Sequence, residues 1–216
     1  MTDPYYRGDG VTLYLGDCLE LTEWLAADVL VTDPPYGMAF VSGQRRSEER
    51  VRIHGDHTTD ARDGALRAWG ERPALVFGNW KIPRPAATRH LLVWHKTAAG
   101  PGMGDLSIPW GSATEEIYVL GDGFTGPRTS NVIATSEARG NPYGEAAKTG
   151  HPTPKPVGLM EQLIAKCPPG VVADPFAGSG ATLLAARNLG RPAIGVELEE
   201  RYCEIVANRL AQAVLL

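Results

Sequence analysis

Cysteine is scarce in this chain: only Cys18, Cys167 and Cys203 occur, an odd number at spacings that suit neither a disulfide framework nor a metal site. They read as reduced thiols, which points to a cytoplasmic protein. Long apolar runs are also missing. No stretch approaches about 18 residues, so no membrane span is expected, and residues 1–7 lack the apolar core of a signal peptide. An excess of basic charge is absent too. The formal net charge of −4 excludes a wholly basic coat for nucleic acid, though not a local basic face. What remains is ordinary: 216 residues with 43% hydrophobic content fit one domain with a sizeable core.

Short apolar and β-branched runs alternate with amphipathic segments. That pattern predicts an α/β fold, with a mostly parallel sheet and helices on both faces. Strands are expected at 11–15, 28–32, 74–77, 91–94, 116–120, 171–174 and 193–196. Helices are expected at 19–26, 61–69, 157–166, 181–189 and 199–214, with Gly190 as a C-cap. Residues 37–60 read as a long polar loop, and 121–150, rich in Gly, Pro, Ser, Thr and Asn, as a second loop.

Asp33-Pro34-Pro35-Tyr36 follows the second strand, where open α/β sheets place ligand sites. Two prolines stiffen the backbone and remove donors. The carboxylate and carbonyls can therefore accept from an amino group while the ring offers a flat face. Asp174-Pro175-Phe176-Ala177-Gly178-Ser179-Gly180 joins a strand to a helix and suits close backbone approach to a ligand. No Gly-Lys-Ser/Thr follows, so it is not a phosphate-binding loop. Glu197 ends the next strand, where a carboxylate can accept both hydroxyls of a ribose.

These segments resemble the amino-group DNA methyltransferases. The glycine segment is similar to their S-adenosylmethionine motif, and Asp33-Pro34-Pro35-Tyr36 to their catalytic motif. His151-Pro152-Thr153-Pro154-Lys155-Pro156 and Gly16-Asp17-Cys18 resemble two further family segments. The catalytic motif precedes the glycine motif, which is the circularly permuted order of the β group. The resemblance implies a Rossmann-like sheet of seven strands and a single catalytic domain over residues 1–216. It implies catalytic roles for Asp33, Pro34, Pro35 and Tyr36. It assigns Asp17 and Cys18 to the cofactor adenine and Glu197 to its ribose. Asp174, Phe176, Gly178, Ser179 and Gly180 would surround the methionine part, and Thr153 and Lys155 its carboxylate. His151 reads as a loop residue that satisfies local backbone groups, and no metal is called for.

Methyl transfer to the amine of a flipped base is the implied activity. Asp at the first motif position favours adenine N6, with cytosine N4 as the alternative. Ring-carbon chemistry is disfavoured, because no cysteine stands in a Pro-Cys context. A non-catalytic subunit of a modification system that binds DNA or cofactor, and a methyltransferase acting on protein or RNA, are the other readings. DNA is the expected partner. Candidate contacts are Arg45, Arg46, Arg50 and Arg52 in the 37–60 loop, and Arg128 and Arg139 in a short target-recognition insert at 121–150. Because that insert is small, a homodimer or a separate recognition subunit is a further expectation.

Overall fold

The computed structural model describes residues 2–38, 57–96, 107–136, 149, 151 and 153–212. Its centre is one nine-stranded sheet. In chain order the elements are β1 (Tyr6–Gly8), β2 (Val11–Leu15), β3 (Val29–Thr32), α1 (Asp60–Trp69), β4 (Ala74–Gly78), β5 (His90–Lys96), β6 (Thr114–Leu120), β7 (Val132–Thr135), α2 (Val157–Ile164), β8 (Val172–Asp174), α3 (Ala181–Asn188), β9 (Ala193–Glu197) and α4 (Glu200–Gln212). The spatial order is β1-β2-β9-β8-β3-β4-β6-β5-β7. The α/β class is as expected, and all seven anticipated strands are present.

Two strands are additional. β1 pairs with β2 across Asp9 and Gly10, both at positive φ (49° and 75°), as a two-residue type I′ hairpin turn requires. β7 lies inside the segment read as loop. Asn131 holds it at the edge of β5: Val93 N–H donates to the Asn131 carbonyl at 2.8 Å, and the Asn131 amide donates to the Leu91 carbonyl at 3.1 Å. The sheet is mixed rather than mostly parallel, because β6 runs antiparallel to both β4 and β5 and β1 antiparallel to β2. The helix expected at 19–26 shrinks to a single 3-10 turn, Glu23–Ala26. Asp17 takes the preceding residues into a local turn, its side chain accepting from Leu19 N–H and its carbonyl from Glu20 and Leu21.

Alternation along the central strands explains their continuous apolar runs. Val29 and Val31 of β3, with Leu75 and Phe77 of β4, face a cluster filled by α2, α3 and α4. Leu30, Ala74 and Val76 face the opposite cluster, closed by Trp24 and by Ala65 and Trp69 of α1. Both faces are covered, so neither set of side chains can be polar. Trp24 and Trp69 stack there at 5.9 Å, with the Arg72 guanidinium 3.5 Å from the Trp69 ring centre. Among the described residues no helix is long and apolar enough to cross a membrane.

Candidate active site

Strand direction brings the functional candidates to one edge of the sheet. β3, β4, β8, β9 and β2 are parallel in sequence of contact, so their carboxyl ends share that edge. β8 and β3 are neighbours, yet the chain leaves β8 toward β9 and leaves β3 toward β4. The crevice beyond their ends is a topological switch point, the usual ligand site of an open α/β sheet. The Thr32 hydroxyl donates to Asp174 Oδ1 at 2.7 Å and joins the two strand ends. A cleft lies there, lined by Asp33, His151, Thr153, Lys155, Asp174 and Phe176 to Ser179 among others.

The glycine segment forms one wall. Gly178 and Gly180 have positive φ (51° and 82°). A Cβ on Gly180 would sit 2.8 Å from Val206 Cγ2, and one on Gly178 would sit 3.3 Å from His151 Nε2. At Gly180 conformation and packing both call for glycine; at Gly178 conformation does, and His151 would have to give by a few tenths of an ångström. Glu197 accepts from Gly178 N–H at 2.7 Å and Glu199 N–H at 2.8 Å, one on each oxygen. Those bonds fix the carboxylate plane and leave about two of its four lone-pair positions for a ligand. Burial raises the Glu197 carboxyl and the two amides pull it back. Asp174 is pushed up to about 6 by burial, against the Thr182 and Thr32 hydroxyls and the Phe176 amide. Gly16 N–H donates to the Glu197 carbonyl at 2.9 Å, which sets the Asp17 turn beside the same strand end. Cys18 is buried there, and its carbonyl accepts from the Trp24 indole at 3.0 Å. Burial and the neighbouring Asp17 push its thiol up to about 12, the state of a packing residue rather than a nucleophile.

His151 packs against Tyr202, ring centres 4.8 Å apart. Its Nδ1 accepts from Thr153 N–H at 3.2 Å, so it does satisfy local backbone, and it also lines the cleft. Burial, then Lys155 and Arg201, depress it to about 4, which keeps the ring neutral.

The opposite wall holds a charge cluster. Lys155 is ion-paired with Asp33 Oδ2 and lies 3.2 Å from Glu115 Oε2. Glu115 is also paired with Lys96. The Tyr36 hydroxyl donates to Asp33 Oδ1 at 2.7 Å and reaches Glu115 Oε2 at 3.4 Å. Burial raises the Asp33 carboxyl; Lys155 opposes that rise and Glu115 adds to it. For Glu115 burial is more than offset by Lys155 and Lys96, and the carboxyl falls to about 2. Lys155, expected beside a cofactor carboxylate, instead has its ammonium between two protein carboxylates. Glu115 and Lys96 were not anticipated. They fall just outside the expected strands 116–120 and 91–94, and strand pairing rather than any local pattern brings them together.

Of the expected DNA contacts, Arg45, Arg46, Arg50, Arg52 and Arg139 lie outside the described residues. Arg128 is exposed, but it follows β6, whose carboxyl end pairs with the start of β4 (Leu120 with Ala74). It therefore sits at the sheet edge away from Asp33. This corrects its placement: an antiparallel strand turns the loop after it to the far side. The chain returns to the site edge only at the end of β7, where Thr135 pairs with Lys96.

Comparisons with known proteins agree with this geometry. The family model described as DNA methylase, for N6 and N4 enzymes, matches residues 90–208. The type II methyltransferase M.ScaI of Streptomyces caespitosus is 45% identical, over 96% of this chain and 83% of its own length. Among solved structures, the M1.HpyAVI–SAM complex superposes with a TM-score of 0.67 at 22% identity, covering 93% of this chain and 98% of that one. The cytosine-N4-specific PvuII DNA methyltransferase gives 0.66 at 18% identity, over 96% and 89%.

Proposed function

The chain belongs to the N6/N4 DNA methylase family, and from that premise we propose that it moves a methyl group from S-adenosylmethionine to the exocyclic amine of a base flipped out of DNA, adenine N6 rather than cytosine N4. The observation that carries this reading is the junction of β3 and β8. There the Asp33 motif and the glycine wall share one cleft, tied by the Thr32–Asp174 hydrogen bond. Asp33 at the first motif position supports adenine. The order of the two motifs along the chain supports the permuted β-group arrangement within a single catalytic domain.

The residues present fit that cofactor. When bound, it supplies an electrophilic methyl group on a sulfonium sulfur. Glu197, already oriented by two amides, has lone pairs left for ribose hydroxyls. Asp17 and the backbone at Cys18 serve the adenine end. Asp174 braces the turn, Phe176 walls it, and Thr153 with Gly178, Ser179 and Gly180 serves the amino-acid end. Lys155 is assigned to Asp33 instead, because its charge is already shared by two protein carboxylates.

An exocyclic amine is a weak nucleophile because its lone pair is delocalised into the ring. Asp33 and the Pro34 carbonyl accept its two N–H groups, which favours a pyramidal nitrogen and stabilises the charge that develops on it. Pro35 keeps that backbone rigid, and Tyr36 offers a flat face to the base. Burial makes Asp33 a stronger base than a solvated aspartate, so its carboxylate is the acceptor for the proton the methylated amine sheds. Target readout is assigned to the segments that leave the site edge, the 37–60 loop with Arg45, Arg46, Arg50 and Arg52, and the part of the 121–150 insert beyond Thr135 with Arg139. A second copy or a separate recognition subunit would extend that surface. Trp80 and Trp110, 69% and 77% exposed, flank the same edge, with Lys81 beside Trp80.

The test is expression in a host without adenine methylation, followed by single-molecule sequencing of its DNA. Methylated adenine at a short repeated sequence is the expected result. N4-methylcytosine would overturn the choice of base, and unmodified DNA in the presence of folded protein would overturn the activity.

A further inference from the structure

The buried charge cluster goes beyond the motif residues. Asp33 needs a negative charge strong enough to attract an amine, yet Lys155 is clamped on one of its oxygens. A lone lysine there would neutralise it. Glu115 changes that balance. It stands on the other side of the same ammonium, at 3.2 Å, and is itself held by Lys96. Two lysines and two carboxylates therefore alternate as Lys96, Glu115, Lys155, Asp33, and the Tyr36 hydroxyl spans the two acids. The side chains of Glu115 and Lys96 are only 15% and 9% exposed. The Lys96 ammonium lies 4.6 Å from the Trp94 ring centre, and that of Lys155 lies 5.0 Å from Phe77, so aromatic faces fix both cations.

We propose that Glu115, backed by Lys96, is a positioning residue for methyl transfer: it draws Lys155 partly away from Asp33 and orients Tyr36, so that Asp33 keeps its pull on the substrate amine. Glu115 touches Tyr36 and Lys155 and acts through them. The inference rests on the methyl-transfer reading of the site. The charged and titratable groups facing Glu115 are Asp33 and Tyr36 from the loop after β3, Lys96 from β5 and Lys155 from the segment before α2. Asp174 lies behind Asp33 and adds to the negative field there, and His151 lies on the Lys155 side.

The experiment measures single-turnover methyl transfer across pH for the full chain and for Glu115→Gln, with cofactor affinity and melting temperature determined in parallel. Removing Glu115 gives the whole Lys155 charge to Asp33. The rate should fall about 10- to 100-fold, at or below the low end of what loss of an acid–base group costs, because Asp33 itself is retained. The acid limb of the profile should move to lower pH, while cofactor affinity stays within about twofold. Lys96→Met is the opposing variant. It strengthens the claim of Glu115 on Lys155 and should move the acid limb to higher pH. It also keeps the idea testable if Glu115→Gln fails to fold. A merely structural role would lower the melting temperature without shifting either limb, and unshifted profiles in folded variants overturn the proposal. Asp33→Ala in the same assay separates the two readings. If it is inactive while Glu115→Gln runs at full rate, the Glu115 role alone falls. If it retains full rate, the site reading falls and takes Glu115 with it.

Discussion

At the residue scale, His151 and Asp174 titrate in opposite senses within one cleft. Folding takes His151 from an ordinary 6.5 to about 4. The unfolded chain therefore binds that proton first, and the stability it contributes, full above pH 6.5, is lost as pH falls through 4. Asp174 goes from 3.8 to about 6, so the folded state binds its proton first. Its contribution is full below pH 3.8 and lost as pH rises through 6. His151→Asn removes the first effect and leaves the second. The variant should gain stability over the parent as pH falls from 6.5 to 4, by on the order of 2 kcal/mol at the acid end. Melting curves across that range check this, and parallel pH profiles for the two proteins would contradict it. Residue identity made Asp33, Asp174, Glu197 and the glycines legible in the sequence, because each stands beside a strand end with its own chemical signature. Glu115 was hidden by contrast. Its partners Lys96 and Lys155 lie 19 and 40 positions away, joined to it only by strand pairing and by the return of the chain to the site.

Elements are legible in the sequence where apolar runs are long and obscure where local turn chemistry decides. β3 and β4 are covered on both faces, and their sequences are unambiguous. β1 has no pattern of its own, because three residues are too few for one, although Asp9-Gly10 is a hairpin signal. β7 took its place through the Asn131 bonds rather than through periodicity. The caps of α3 allow a paired measurement. Gly180 and Gly190, at its two ends, both have positive φ (82° and 66°), but only Gly180 faces a near neighbour. Gly190→Ala should cost about 1 kcal/mol, from backbone conformation alone. Gly180→Ala should cost about 1–3 kcal/mol more through Val206, and should weaken cofactor binding as well. Urea titration and calorimetry separate the two losses; equal costs at both glycines would refute the packing argument.

For the whole molecule, function depends on which loops the sheet sends to which edge. The net charge of −4 gives no general attraction to DNA, so contacts must be local. We propose that the exposed Trp80, on the loop after β4 with Lys81 5.6 Å from its ring centre, makes one such contact. Trp80→Ala should weaken DNA binding about 10-fold, the worth of one stacked base, and leave cofactor affinity and the salt dependence almost unchanged. Titration of fluorescently labelled duplex at two salt concentrations reads both. An unaltered dissociation constant would remove Trp80 from the interface.

The Thr32–Asp174 hydrogen bond also has a timetable. Its partners are 142 residues apart, an interval that takes on the order of ten seconds to synthesise. Until β8 emerges, β3 lacks one neighbour and presents an unpaired strand edge beside an incomplete cleft. The newborn chain thus carries Asp33-Pro34-Pro35-Tyr36 before the wall that faces it. The cleft acquires both of its walls only once Asp174 and the glycine segment after it have been made.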